Sequence, residues 1–312
     1  MYKLRNWIDI NKLNWHALSE NPFALDLLEK NKDKIDWKML SSNPCAIHLL
    51  NQNINKINWY VLSLNHNALH ILEKNLHKIN WTFLSSNINA THILEKNIKK
   101  INWQMLSFNH NAVHILTQNK TNINWIFMSS NINAIPILEK NQDKINWSML
   151  SSNKNAIHLL KENQEQIDWR HLSENLLAID LLEQNQDKIC WYWLSNNINA
   201  INIIERNLNK IDWSYLSSNI NAIHILEKNL NKIDFNFLSK NKNAIHILEK
   251  NQDKINWTNL SKNPSIFELD YEGLKKRCGI YKEELIQKAM NPRRIQKYLD
   301  EGILLEDLDN YI

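Results

Sequence analysis

Glycine is almost missing from this chain. There are three in 312 residues, at 273, 279 and 302, all near the C-terminal end. Proline is nearly as scarce, with five. Residues 1–272 therefore lack the usual residue for left-handed backbone, and the glycine-rich loops that cradle phosphate are excluded there. Asn is very common and takes over turn and capping work. The three cysteines, Cys45, Cys190 and Cys278, stand far apart and form no metal-type pair. A reducing, intracellular compartment is the natural expectation. No apolar run approaches the length of a membrane span, and "MYKLRNWIDI" lacks the apolar core of a signal peptide. Nor does one sign of charge dominate. The net charge is +4. Residues 1–262 hold 29 Lys and Arg against 23 Asp and Glu, and residues 263–312 hold 8 against 10. That balance is too mild to imply nucleic acid by itself.

What is abundant is tryptophan, with 13 residues, and eleven of them are strictly spaced. Trp recurs every 22 residues from 15 to 257, with Phe235 in the single gap. Asn fills every 22nd position from 21 to 263, and Ser does so from 19 to 261. Ile holds 35 to 255, a second Asn row holds 31 to 251, and Leu holds 18 to 260 except at Met128. Nothing is inserted or deleted between copies. A fixed period of this kind is the signature of a repeat architecture.

One unit, residues 36–57, reads "DWKMLSSNPCAIHLLNQNINKI". An Asx residue precedes the aromatic in every unit except at Cys190, which suits an N-cap. A short first helix is expected from Trp37 to about Ser42. Asn43-Pro44 then reads as an N-cap and first helical position, opening a second helix over 44 to about 52. Asn53 is expected to end it in the left-handed conformation that Asn tolerates. Ala46, Ile47, Leu49 and Leu50 make one apolar face, joined by Trp37, Met39 and Leu40. Neither helix is stable alone, and 22 residues cannot enclose that face. The fold class is therefore all-α, an α-solenoid of about twelve two-helix repeats. At helix spacings of about 8–10 Å the stack would be a rod or arc on the order of 100 Å long, with the Trp row as the spine of its core.

Solenoid ends need covers. Residues 1–14, with the additional Trp7, read as a degenerate N-terminal capping repeat, and residues 15–263 as the solenoid. Residues 264–312 break the pattern and read as a C-terminal helical cap. There "KEELIQKAM" forms one helix, and Asn291-Pro292 restarts another that Gly302 closes. Leu285, Ile286, Ala289, Ile295, Tyr298 and Leu299 are its candidates to cover the last repeat.

The pattern, as in "NAIHILEKNLNKIDWSYLSSN", resembles the short Trp- and Asn-rich repeats of uncharacterised proteins from giant DNA viruses of the mimivirus kind. The ending "YKEELIQKAMNPRRIQKYLDEGI" is similar to segments that follow such repeats there. The resemblance covers nearly the whole chain. It implies a viral repeat protein acting in the cytoplasm of an infected cell, and it brings no catalytic residues with it.

The repeated polar rows are poor reagents. The His row reads Asp26, His48, His70, His92, His114, Pro136, His158, Asp180, Asn202, His224, His246, Glu268. Ligands of one metal must lie about 2 Å from it, whereas neighbouring repeats stand about 8–10 Å apart. This His is expected to flank the apolar face and bond a neighbouring repeat. Twelve equivalent Ser are not twelve nucleophiles, and they are expected to bond local backbone. No catalytic, cofactor-binding or metal-binding residue is assigned, and the chain reads as a non-enzyme.

Function should then lie in what varies. The position after Trp and the position after the invariant Ser are four apart and share one helical face. The first row includes Tyr60, Gln104, Ile126, Arg170 and Tyr192, and the second includes Leu64, Phe108, Glu174 and Asn196. Partner-binding candidates are Tyr60, Leu64, Gln104, Phe108, Arg170, Glu174, Tyr192 and Asn196. Departures from the pattern also cluster at about 170–202, among them Leu176, Leu177, Cys190 and Trp193. The leading expectation is a scaffold that binds a host or viral protein, with no membrane partner. The alternatives are a modular reader of single-stranded RNA and a structural component of a virion. The RNA reading leans on the Lys row at 34, 56, 78, 100, 144, 188, 210, 232 and 254.

Overall fold

In a computed structural model, which describes residues 2–301, the chain forms two compact units. Residues 5–266 make one. Residues 1–4 and 267–312 make the other, as far as they are described. The expected boundaries at 14 and 263 therefore shift, because residues 5–14 belong with the repeats.

Each repeat is a pair of short helices, such as Trp37–Ser42 and Ile47–Asn51, followed in most repeats by a 3-10 turn such as Ile54–Lys56. We number repeats 1 to 12 from the aromatic positions 15 to 257. The Asx residue before the aromatic caps the first helix: the Asp36 carboxylate accepts from the Met39 amide at 2.9 Å. Cys190 has no such bond. Asn43 does not cap the second helix directly. Its Oδ1 accepts from the Cys45 amide, making a tight turn, and the helix starts only at Ile47. Asn53 is not left-handed either, with φ −132° and ψ 50°. It ends the helix instead by donating its side-chain amide to the Leu49 carbonyl at 2.9 Å.

The core is aliphatic. Leu40, Ala46, Leu49 and Leu50, with nearly all their equivalents, are buried, Leu27 and Ile137 being only half-buried. Each such Leu contributes roughly 1.5–3 kcal/mol. The Trp row is not the spine of this core, because all twelve aromatics stay half-buried. The exposed faces of most of them are covered by the Lys row. Lys56 Nζ lies 4.6 Å from the centre of the Trp37 ring, and nine of the aromatics carry such a Lys from their own repeat.

Two polar rows are buried as deeply as the Leu. Asn43 donates its side-chain amide to the carbonyls of Ser19 and Asn21 in the preceding repeat, at 3.1 and 3.0 Å. Ser19 donates to the Trp15 carbonyl at 2.8 Å and accepts from the Asp36 amide at 3.0 Å. Both bonds recur at every repeat boundary. They answer backbone groups that short helices leave unpaired.

The repeats do not make a rod or open arc. Asn21 of repeat 1 donates to the carbonyls of Ser261 and Asn263 of repeat 12, at 3.0 and 3.2 Å. The Asn14 amide donates to Ser261 Oγ at 2.8 Å. These are the bonds of any other boundary, so the solenoid closes into a ring. A wall of twelve repeats about 8–9 Å apart gives a circle roughly 32 Å across at the helix axes, and an opening of about 20 Å.

Repeat 12 is built from both parts of the chain that meet there. Trp257–Lys262 supplies its first helix, and residues 5–14 supply its closing segment. Lys12 covers the Trp257 ring at 5.2 Å as Lys34 covers Trp15 at 4.7 Å. Ile8 and Leu13 are buried, and the Arg5 amide and guanidinium donate to the carbonyls of Ile266 and Ser265. The half repeat at the N-terminus thus completes a repeat rather than capping one.

In the other unit, strand β1 (Tyr2–Leu4) pairs antiparallel with β2 (Phe267–Leu269). A helix over Tyr271–Ala289 follows, longer than "KEELIQKAM" suggested. Asp270 caps it by accepting from the Gly273 amide at 3.1 Å, and a Cβ on Gly273 would lie 2.4 Å from the Asp270 carboxylate. Asn291-Pro292 opens the helix Pro292–Asp300 as expected. Leu285 and Ile286 are exposed, and neither helix has a buried residue. A closed ring has no open end, so the reason for expecting a cap falls away. Gly302 lies outside the described residues.

Candidate partner-binding surface on the ring

First helices of successive repeats pack directly side by side at nine of the twelve boundaries, including Trp257–Lys262 against Trp15–Ser19. Second helices are not principal partners of each other. They are linked by long side chains: His92, His114, His158, His224 and His246 each reach a Glu of the preceding repeat at 2.5–2.8 Å. The path around the inside of a ring is shorter than the path around its outside. The closely packed first helices are therefore the inner layer. Asn196 and Ser218, equivalent positions one repeat apart, show the tighter spacing by joining two short side chains at 3.0 Å.

On each first helix the buried Leu, replaced by Met128 in repeat 6, faces the second helix. The positions after Trp and after Ser face the other way, toward the opening. All eight candidates, Tyr60, Leu64, Gln104, Phe108, Arg170, Glu174, Tyr192 and Asn196, are exposed. Tyr60 is 56% exposed, Ile126 51%, and Phe108 and Tyr192 43%. Apolar groups of this size left open at otherwise polar positions suit an interface.

The lining falls into two arcs. Repeats 3 to 6 hold Tyr60, Leu64, Phe108 and Ile126, with Tyr60 edge-on to Phe83 at 4.2 Å. Repeats 8 to 11 hold a run of rings. Arg170 lies 5.5 Å over Trp193, Tyr192 packs on Trp193 and Tyr215, Tyr215 meets Phe237 at 5.4 Å, and Lys240 lies 5.8 Å over Phe237. The Tyr192 hydroxyl donates to that of Tyr215, which pushes the Tyr192 pKa up to about 12. Burial pushes the Glu174 carboxyl above its ordinary range against the pull of His171 and Arg170. Phe83, Tyr215 and Phe237 were not among the candidates. They stand two positions after the aromatic, where Met39 had read as core. An aromatic run in that row is the signal that would have found them.

One cluster in the wall invites a catalytic reading. Ser148 donates to Asp168 Oδ2 at 2.7 Å, and His171 Nδ1 lies 2.8 Å from that oxygen and 3.1 Å from Ser148 Oγ. A relay needs His to face Ser with one nitrogen and the acid with the other. Here one nitrogen faces both, and Asp168 is also the cap of a first helix. Burial raises the Asp168 pKa, but the bonds from Ser148 and His171 outweigh it and leave it below the ordinary range. Among the described residues, no three His, Cys, Asp or Glu side chains converge to hold a metal, and no helix is long and apolar enough to cross a membrane.

The His and Lys rows are occupied locally. Five His of the row bond a Glu of the preceding repeat, where a bond to a neighbouring repeat was expected. The Lys row lies over rings, so the regular basic stripe that an RNA reader needs is engaged with aromatic faces. No family profile, no curated protein and no solved structure matches the chain.

Proposed function

We propose that the protein is a non-enzymatic scaffold whose inner ring surface binds a protein segment. The observation that supports this most directly is the set of open apolar side chains on the inner layer, Tyr60, Leu64, Phe108, Ile126 and Tyr192. Large aromatic rings in a desolvated setting are common anchors of an interface. The likeness of the repeats to those of giant-virus proteins suggests a host or viral partner, met in the cytoplasm of an infected cell. The test is affinity capture from such cells with the wild-type ring and a Tyr60→Ser, Phe108→Ser, Tyr192→Ser variant. A specific protein held by the first and lost by the second is expected. Equal recovery by both would overturn the assignment of the surface.

A second reading rests on the run Trp193, Tyr215, Phe237 between Arg170 and Lys240. Rings flanked by cations are how single-stranded nucleic acid is held without sequence preference. Salt-dependent retention of single-stranded RNA, lost in Trp193→Ala, would favour it over the protein partner.

A further inference from the structure

In the outer layer, the position carrying His in one repeat meets the position carrying Glu in the repeat before it. These two positions are 19 apart, and in five pairs they close to 2.5–2.8 Å. Read along the sequence, every boundary keeps at least one ionisable side chain in this pair, even where it is changed, as in Lys161 with Asp180. The exception lies between repeats 5 and 6, where the pair is Thr117 and Pro136. Neither can bridge the groove.

The consequence is a cavity of about 450 Å³ at that boundary. The same groove measures about 340 Å³ where Glu73 and His92 wall it, and about 260 Å³ at Glu227 and His246. Three cations surround the larger cavity: Lys120, Lys140 and Lys144. No carboxylate is among its lining residues, whereas Glu73 and Glu227 line the smaller ones. Its apolar wall is Trp125, Pro136 and Ile137. Lys144 sits 4.9 Å over the Trp125 ring, so one cation is already held at the apolar wall.

The volume falls in the range of small-molecule sites, which are apolar with a few convergent polar groups. Ammonium groups suit phosphate as point charges, and no carboxylate lines the cavity to compete with it. We propose that this cavity binds a small organic phosphate with a flat ring, of the size of a nucleoside monophosphate. The phosphate would lie among the three lysines and the ring against Pro136 and Ile137. This site is in the outer layer and does not depend on what the inner surface binds.

Titration calorimetry with AMP, adenosine and inorganic phosphate tests it. AMP is expected to bind, with adenosine and inorganic phosphate each at least tenfold weaker. The double variant Thr117→Glu, Pro136→His restores the pair found at five other boundaries, so it keeps the ring. It is expected to weaken AMP at least tenfold with an unchanged melting temperature. Lys120→Gln with Lys140→Gln, both exposed, should weaken AMP similarly. No heat from AMP at millimolar concentration, or an AMP affinity that neither variant lowers, would overturn the proposal.

Discussion

The side-chain amide of Asn21 donates to the carbonyl of Asn263, 242 positions away, with the geometry that Asn43 has to Asn21. A bond identical to those between adjacent repeats makes the two ends of the array neighbours. It turns twelve equivalent interfaces into a cycle. No repeat has a solvent-facing end, which removes the weak termini of ordinary helical arrays.

Ring closure sets the cost of removing this Asn. Asn131 is buried at the middle of the array and donates to the Ser107 and Asn109 carbonyls at 3.0 and 3.1 Å. Asn131→Ala leaves two buried acceptors unmatched and should cost about 2–4 kcal/mol. Asn21→Ala should cost a similar amount. Urea unfolding of both variants measures this, and an Asn21→Ala loss near zero would show that the ends do not meet in solution.

Residues 5–14 are a structural part of repeat 12. Deleting residues 1–14 removes Lys12 from Trp257, the Asn14 amide from Ser261, and buried Ile8 and Leu13. Each buried aliphatic alone accounts for about 1.5–3 kcal/mol. The truncated chain should melt well below the full chain and show a larger radius of gyration by small-angle scattering. An unchanged radius would contradict closure through this segment.

The repeat unit was legible in the sequence because its determinants are local. Caps at Asp36 and the Leu40 and Leu50 core positions follow from spacing within one unit, and the 22-residue period from spacing between units. Closure was not legible. It depends on a small rotation per repeat summed over twelve, which no single unit encodes. The one trace was that residues 8–14 fit the repeat while residues 267–270 do not, so one half repeat was missing where another was spare. The Trp row misled for a different reason: size suggested burial, while the Lys three residues before the next aromatic covers it instead. Among the candidate residues, exposure followed from helical phase, but the neighbours of Tyr60 and Tyr192 lie on the next repeat and needed the structure.

Lysine over tryptophan also offers a stabilising change. Asn122 and Gln166 stand at the Lys positions of repeats 5 and 7, so the rings of Trp103 and Trp147 lack this cation. At exposed sites a cation over a ring is worth about 0.5–1 kcal/mol. Asn122→Lys should raise stability by about that amount, and Lys56→Gln should lower it similarly. Chemical denaturation of the two single variants against wild type reads both signs.

Acid sensitivity should be carried in part by Asp168. Burial pushes its carboxyl up, but the bonds from Ser148 and His171 more than offset this, so its pKa in the folded ring is below the ordinary value. A depressed carboxyl stabilises the fold above the ordinary carboxyl pKa, and that contribution is lost as pH falls through the folded value. Asp168→Asn keeps a side-chain oxygen to cap the Trp169–Glu174 helix but cannot titrate. Melting temperatures from about pH 6 to about pH 2 should therefore fall more steeply for wild type than for Asp168→Asn. Parallel curves would mean that the Ser148–Asp168–His171 cluster does not hold the carboxylate in solution.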